Sequence, residues 1–98
     1  MQLLIESPHT NADDKLKQLI TEKFNHLDKI YNRITECRVT LRHQEDDRKQ
    51  NCILEGRLLV PGDVLFAQEE AGAFEIALHK VLDSLTHQLH KYKEKRLA

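Results

Sequence analysis

Tryptophan is absent from this 98-residue chain, which has only two tyrosines, three phenylalanines, three glycines, two prolines and two cysteines. Each shortage excludes something. Gly56, Gly62 and Gly72 stand alone, so no glycine-rich loop can cradle a phosphate. Cys37 and Cys52 form no CxxC and no close Cys/His pairing, so no zinc site is expected; both read as free thiols in the core. No RNP-like aromatic motif is present to stack single-stranded bases. No apolar run approaches a membrane span. The opening "MQLLIES" lacks the basic region, apolar core and cleavage site of an export signal. The expectation is one domain over residues 1–98, cytoplasmic and without a membrane partner.

Catalytic constellations are equally scarce. His9, His26, His43, His79, His87 and His90 are scattered, with no H-x-x-x-H ladder beside a carboxylate. His87 and His90 could share a metal, but two ligands without a third make a weak site. Asp46-Asp47 and Glu69-Glu70 read as surface charge. The chain is therefore expected not to be an enzyme, and to need no metal, cofactor or small-molecule substrate.

What is present is clear periodicity. "QLLIES" reads as a first strand ended by Pro8. Thr10 or Asn11 can cap a helix with Asp13 and Asp14 in its first turn. Leu16, Leu19, Ile20, Phe24, Leu27, Ile30 and Tyr31 recur at helical spacing, which predicts a helix over 12–31. "ECRVTLR" alternates and predicts a strand over 35–43; the charged "QEDDRKQ" reads as a loop. "CILEGRLLV" gives a strand over 52–60, Pro61-Gly62-Asp63 a turn, and "VLFAQ" a strand over 63–68. A second helical stripe from Phe74 to Tyr92 predicts a helix over 72–94, fraying after Lys95.

The order is β-α-β-β-β-α. The first helix must cross between strands one and two, so that pair is expected to be parallel. The next two links make antiparallel hairpins. The predicted fold class is α+β, a two-layer sandwich with both helices on one face of a four-stranded sheet.

Charge is distributed unevenly. The formal net charge is −1, yet residues 79–98 hold five Lys/Arg and three histidines against two acids. Local clusters matter more than the total, because salt screens exposed charges over about 8–10 Å. At 100° per residue, Lys80, Ser84, His87, Lys91 and Lys95 lie nearly opposite the apolar stripe of the second helix. Lys93, His79 and His90 sit on its flank. Lys15, Lys29 and Arg33 leave the stripe of the first helix, with His26 beside them. Lys23 falls within that stripe, and a buried ammonium would be costly. It is expected to snorkel out where the helices meet. Lysines that only solubilise a helix explain part of this pattern, as does the attraction of cations to a helix C-terminus. The ordered ridge points further, to the phosphates of a structured RNA recognised by backbone and shape.

"MQLLIES", "ITEKFNHLDKIYNRI" and "FEIALHKVLDSLTHQLHKYKEK" resemble the ribosome hibernation-promoting factor family, which includes the ribosome-associated inhibitor proteins. The resemblance runs nearly the full length and is most specific in the last helix. It implies a fold like a double-stranded-RNA-binding domain. It also implies binding to the small ribosomal subunit, in the mRNA and tRNA channel, through basic side chains that contact ribosomal RNA. Occupying that channel would inhibit translation in non-growing, stationary-phase or stressed cells, without catalysis.

By position, Lys23, Lys91, Lys93 and Lys95 match basic residues of the family. Phe74 takes an aromatic position, Asp83 is kept, and Gln88-Leu89 keep a Q-L pair. Ser84 stands where the family has Lys, His87 where it has Arg, and Gly72 where it has a capping Asp. Lys80 and Arg33 could offset the lost charge. The expected RNA-binding set is Lys23, Lys29, Arg33, Lys80, His87, Lys91, Lys93 and Lys95. The chain looks like the short form, which would promote ribosome dimers with a second, dimerising factor. The other role open to the family is to hold idle single ribosomes. The alternative is a protein-interaction module that uses an exposed sheet edge and never touches RNA.

Overall fold

The computed structural model describes residues 1–8, 12–46 and 49–97. Its elements run β1 (Gln2–Glu6), α1 (Asp14–Asn25), α2 (Leu27–Ile30), β2 (Glu36–Asp46), β3 (Lys49–Val60), β4 (Asp63–Ala71) and α3 (Phe74–Leu97). The strands form one sheet in the order β1-β2-β3-β4. β1 pairs parallel to β2, from Gln2 opposite Glu36 to Glu6 opposite Thr40. The other two pairs are antiparallel. This is the α+β architecture the periodicities predict.

Alternation decides which face of the sheet is covered. Cys37, Val39 and Leu41 on β2, and Leu54 and Leu58 on β3, are buried beneath the helices. Phe24 from α1 and Val81, Leu85 and Leu89 from α3 close the core from above. Gly56 sits at the centre of β3 on this covered face. A Cβ there would lie 2.9 Å from Leu85 Cδ1, 3.0 Å from Val81 Cγ1 and 3.3 Å from Phe24 Cζ. The missing side chain lets both long helices rest on the same strand.

Four local expectations need correction. First, the helix over 12–31 is broken. α1 ends at Asn25, and the N–H of His26 is shared between the carbonyls of Lys23 and Phe24. That tightened turn starts α2 without any Pro or Gly, and it still buries Leu27. Second, the cap on α1 is Asp13, whose Oδ1 accepts the Leu16 N–H at 2.8 Å. Thr10 and Asn11 lie outside the described residues. Third, the polar 44–50 stretch is mostly ladder: Gln44 pairs with Asn51, Glu45 with Gln50 and Asp46 with Lys49. Pairing along the ladder satisfies the backbone N–H and C=O groups of these residues; Asp47 and Arg48 lie outside the described residues. Fourth, α3 extends to Leu97, and β4 to Ala71.

The β3–β4 turn is Pro61-Gly62, with Gly62 at φ 80°. Pro at the first central position and a positive φ at the second suit a type II turn. This turn meets the C-terminal end of α3. The Tyr92 hydroxyl donates to the Pro61 carbonyl, and Arg96 donates to the same oxygen at 3.3 Å.

Candidate nucleic-acid interface

α3 is the spine of the basic surface. Lys80 and His87 are exposed on its outward side. Lys91 and Lys95 line a groove of about 190 Å³ with Asp63, Leu65, Gln88 and Tyr92, between α3 and the start of β4. Gln88 fixes that flank: its Nε2 donates to the Phe66 carbonyl at 2.8 Å and to Ser84 Oγ at 3.1 Å. Ser84 is therefore half-buried on the ridge, with its hydroxyl already engaged.

The opposite flank of α3 faces α1 and α2. Lys23 is exposed, as the snorkel reading requires. It borders a hollow of about 130 Å³ with Leu19, Glu75, Leu78, His79 and Leu82. Its neighbour His79 forms an i,i+4 pair with Asp83, Nε2 to Oδ2 3.6 Å, exposed on both sides. Such a pair contributes little. His79 and Lys91 are twelve residues apart, about 18 Å along the helix axis. Lys23 is thus set apart from the Lys91–Lys95 groove in both axis position and flank.

A third group forms where α2 meets α3. Lys93 is half-buried and its Nζ donates to the Ile30 carbonyl at 2.7 Å. Arg33, just after α2, faces it across a cavity of about 310 Å³ lined by Tyr31, Asn32, Arg33, Lys93 and Arg96. Lys29 is exposed on α2. The structure brings Lys91 to Lys95 and Arg33 to Lys93, and spreads the whole set over both flanks of α3.

Among the described residues, none of Lys23, Lys29, Arg33, Lys80, Lys91, Lys93 and Lys95 makes an ion pair within 4.0 Å. The arginines of the open sheet face differ. Arg38 pairs with Glu36 at 3.0 Å, and Arg42 pairs with Glu55. Arg57 lies 5.3 Å from the Phe66 ring centroid. The helix-side cations are the ones left for a partner.

Arg96, Tyr31 and Gln88 escaped the sequence reading as site residues. Arg96 lies beyond the expected helix end, Tyr31 belongs to an apolar stripe, and Gln88 carries no charge. The pairing of Tyr31 with Tyr92, edge to face at 5.4 Å, depends on how α2 meets α3. Burial pushes the Tyr92 phenol above its ordinary value of 10.0, with Tyr31 adding to the rise and Arg96 opposing it.

The thiols lie away from this surface. Burial first, then Asp28 and Glu36, push Cys37 from 9.0 to about 12. Burial and Glu75 push Cys52 up; its Sγ lies 3.8 Å from His43 Nδ1. Neither is a ready nucleophile.

Residues 3–97 match the family described as sigma 54 modulation protein / S30EA ribosomal protein. The chain belongs to that family. The matched span takes in every candidate cation from Lys23 to Lys95. The chain is 30% identical over 103 residues to a ribosome hibernation promoting factor of Acinetobacter guillouiae, covering 99% of this chain and 91% of that one. It is 27% identical to the Escherichia coli K12 protein of that name, covering 97% and 96%. The Deinococcus radiodurans ribosome hibernation promotion factor is 32% identical over 87 residues, 87% of this chain, but the chain spans only 45% of that longer protein. A ribosomal subunit interface protein from Coxiella burnetii superposes with a TM-score of 0.84 at 18% identity, covering 96% and 99%. That likeness shows that the Coxiella protein and this chain share one fold.

Proposed function

We propose that this chain is a ribosome hibernation factor that binds small-subunit ribosomal RNA in the mRNA and tRNA channel and inhibits translation in non-growing cells. Lys23, Lys29, Arg33, Lys80, His87, Lys91, Lys93 and Lys95 supply the contacts. The names of its relatives support the role. The observation that carries the RNA reading is the set of helix-side cations, exposed apart from the half-buried Lys93, without carboxylate partners among the described residues. Phosphates provide the charge these side chains lack. α3 is long, 24 residues, so its cations are held on a rigid rod about 36 Å in length. Promotion of ribosome dimers with a second factor, and action in the cytoplasm, belong to the same proposal; no helix among the described residues is long and apolar enough to cross a membrane.

Co-sedimentation with purified small subunits tests it. The wild type should pellet with the subunit, and the Lys91→Glu/Lys95→Glu variant should stay in the supernatant with an unchanged far-UV circular dichroism spectrum. Undiminished binding of that variant would remove the α3 groove from the RNA face.

A second reading has one observation in its favour. Val64 and Phe66 on the edge strand β4 are 53% and 43% exposed. A partner protein pairing along that edge would use apolar contact and main-chain hydrogen bonds, and salt would barely weaken it.

A further inference from the structure

We infer that the cavity between α2 and the last turns of α3 is a subsite for one unpaired nucleotide of the bound RNA. The inference rests on the RNA reading above and adds a specific occupant to it. The cavity, about 310 Å³, is lined by Tyr31, Asn32, Arg33, Lys93 and Arg96. That volume is at the lower end of what small organic ligands occupy. Three of the five lining residues are cations, and no carboxylate lines it.

Two of the three cations are held in place before any ligand arrives. Lys93 is tethered to the Ile30 carbonyl at 2.7 Å. Arg96 is tethered to the Pro61 carbonyl at 3.3 Å and lies 5.3 Å from the Tyr92 ring centroid. Each still has donors to spare, since an ammonium has three and a guanidinium five. Arg33 makes no hydrogen bond to another described residue through its side chain. Two arginines facing one cavity suit a phosphate, which guanidinium forks can hold in bidentate fashion.

The remaining lining suits a base. Tyr31 is half-buried, braced edge-on against Tyr92, and borders the cavity. Asn32 adds an amide that can both donate and accept. An aromatic ring, an amide and arginines together are how proteins hold a splayed-out RNA base with its phosphate. A paired duplex offers only its backbone to this cavity; an unpaired nucleotide can fill it.

The chain has two tyrosines and no tryptophan. Tyr31 lines this cavity and Tyr92 lines the Lys91–Lys95 groove, so with ring-labelled tyrosine the two assigned signals report the two places separately. The test compares an RNA hairpin carrying one bulged nucleotide with the same hairpin fully paired. The expected result is that the bulged RNA binds about tenfold tighter and moves the Tyr31 ring signals, and that Arg33→Gln/Arg96→Gln erases both differences. Adenosine 5′-monophosphate should move the same signals weakly, and adenosine without its phosphate should not. Equal affinity for the two hairpins, or unmoved Tyr31 signals, would overturn the subsite even if small-subunit binding persists. Signals moved by the free mononucleotide but by neither hairpin would overturn RNA as the source. Lys91→Glu/Lys95→Glu keeps the cavity intact. Loss of subunit binding there, with the mononucleotide response retained, separates the wider RNA reading from this one.

Discussion

Lys93 and Ile30 are 63 positions apart in sequence, yet the Lys93 ammonium donates to the Ile30 carbonyl at 2.7 Å. The contact ties the last turns of α3 to the end of α2. It places a cation at a helix C-terminus, where carbonyls lack intrahelical partners. It also fixes the wall of the basic cavity, so one side chain serves both packing and charge. Lys93→Met should therefore lower stability by about 1 kcal/mol, a typical value for one hydrogen bond. Urea unfolding would register this as a lower midpoint with an unchanged slope. An unshifted midpoint would show that the tether carries no weight.

Gly56 is the position least able to accept a side chain. A Cβ would sit 2.9 Å from Leu85 Cδ1 and 3.0 Å from Val81 Cγ1. Gly56→Val should destabilise the fold by about 1–3 kcal/mol or more, because overpacking forces both helices away from β3. Gly62→Ala acts by a different route: there is open space around it, but its φ is +80°. Its cost should come from backbone strain in the turn under Tyr92 and Arg96. Thermal melts of the two variants would separate packing from turn geometry, since the crowded Gly56 variant should melt well below the Gly62 variant, whose added methyl meets nothing within 4 Å.

The Cys37 thiol should resist alkylation in the folded protein at pH 8, because its pKa is pushed to about 12. The shift sets a pH window as well. The unfolded thiol ionises near the ordinary 9.0 and the folded one does not, so stability from this group is fully present below 9 and falls between 9 and 12. The expected slope for one such group is about 1.4 kcal/mol per pH unit. Cys37→Ala should flatten that alkaline loss. An equal slope in the variant would show that other groups cause it.

Ser84 lies on the ridge, but its hydroxyl accepts from Gln88. Gln88 keeps its bond to the Phe66 carbonyl when Ser84 is replaced. Ser84→Lys should therefore leave the fold intact and tighten subunit binding, by adding a cation near Lys80 and Lys91. A weaker complex would show that this flank does not meet phosphate.

Much of the architecture was legible from residue order. The alternation of Cys37, Val39 and Leu41 fixed which side of β2 is covered, because one slipped residue would send all three to solvent. The stripe from Phe74 to Tyr92 defined α3 for the same kind of reason. Legibility failed where backbone pairing outweighed side-chain polarity, as in the charged hairpin end at Gln44–Asp46. It failed again at His26, where the helix breaks without a breaker residue. The exposure of Lys23 could be argued in advance, since burying an unpaired ammonium is prohibitive. Grouping the cations could not. Whether Arg33 meets Lys93 depends on the α2–α3 packing, and Arg96 joins them only because α3 runs past its expected end.

The central claim is that helix-side cations hold RNA phosphates, and salt tests it most directly. Binding to isolated small subunits should weaken steeply across a potassium chloride series, with log K falling linearly against log salt and a slope of about −0.7 to −0.9 for each phosphate contacted. Four or more contacts from the ridge and its flanks predict a slope steeper than about −3 by the same relation. A nearly flat response would contradict the account and favour apolar pairing along β4.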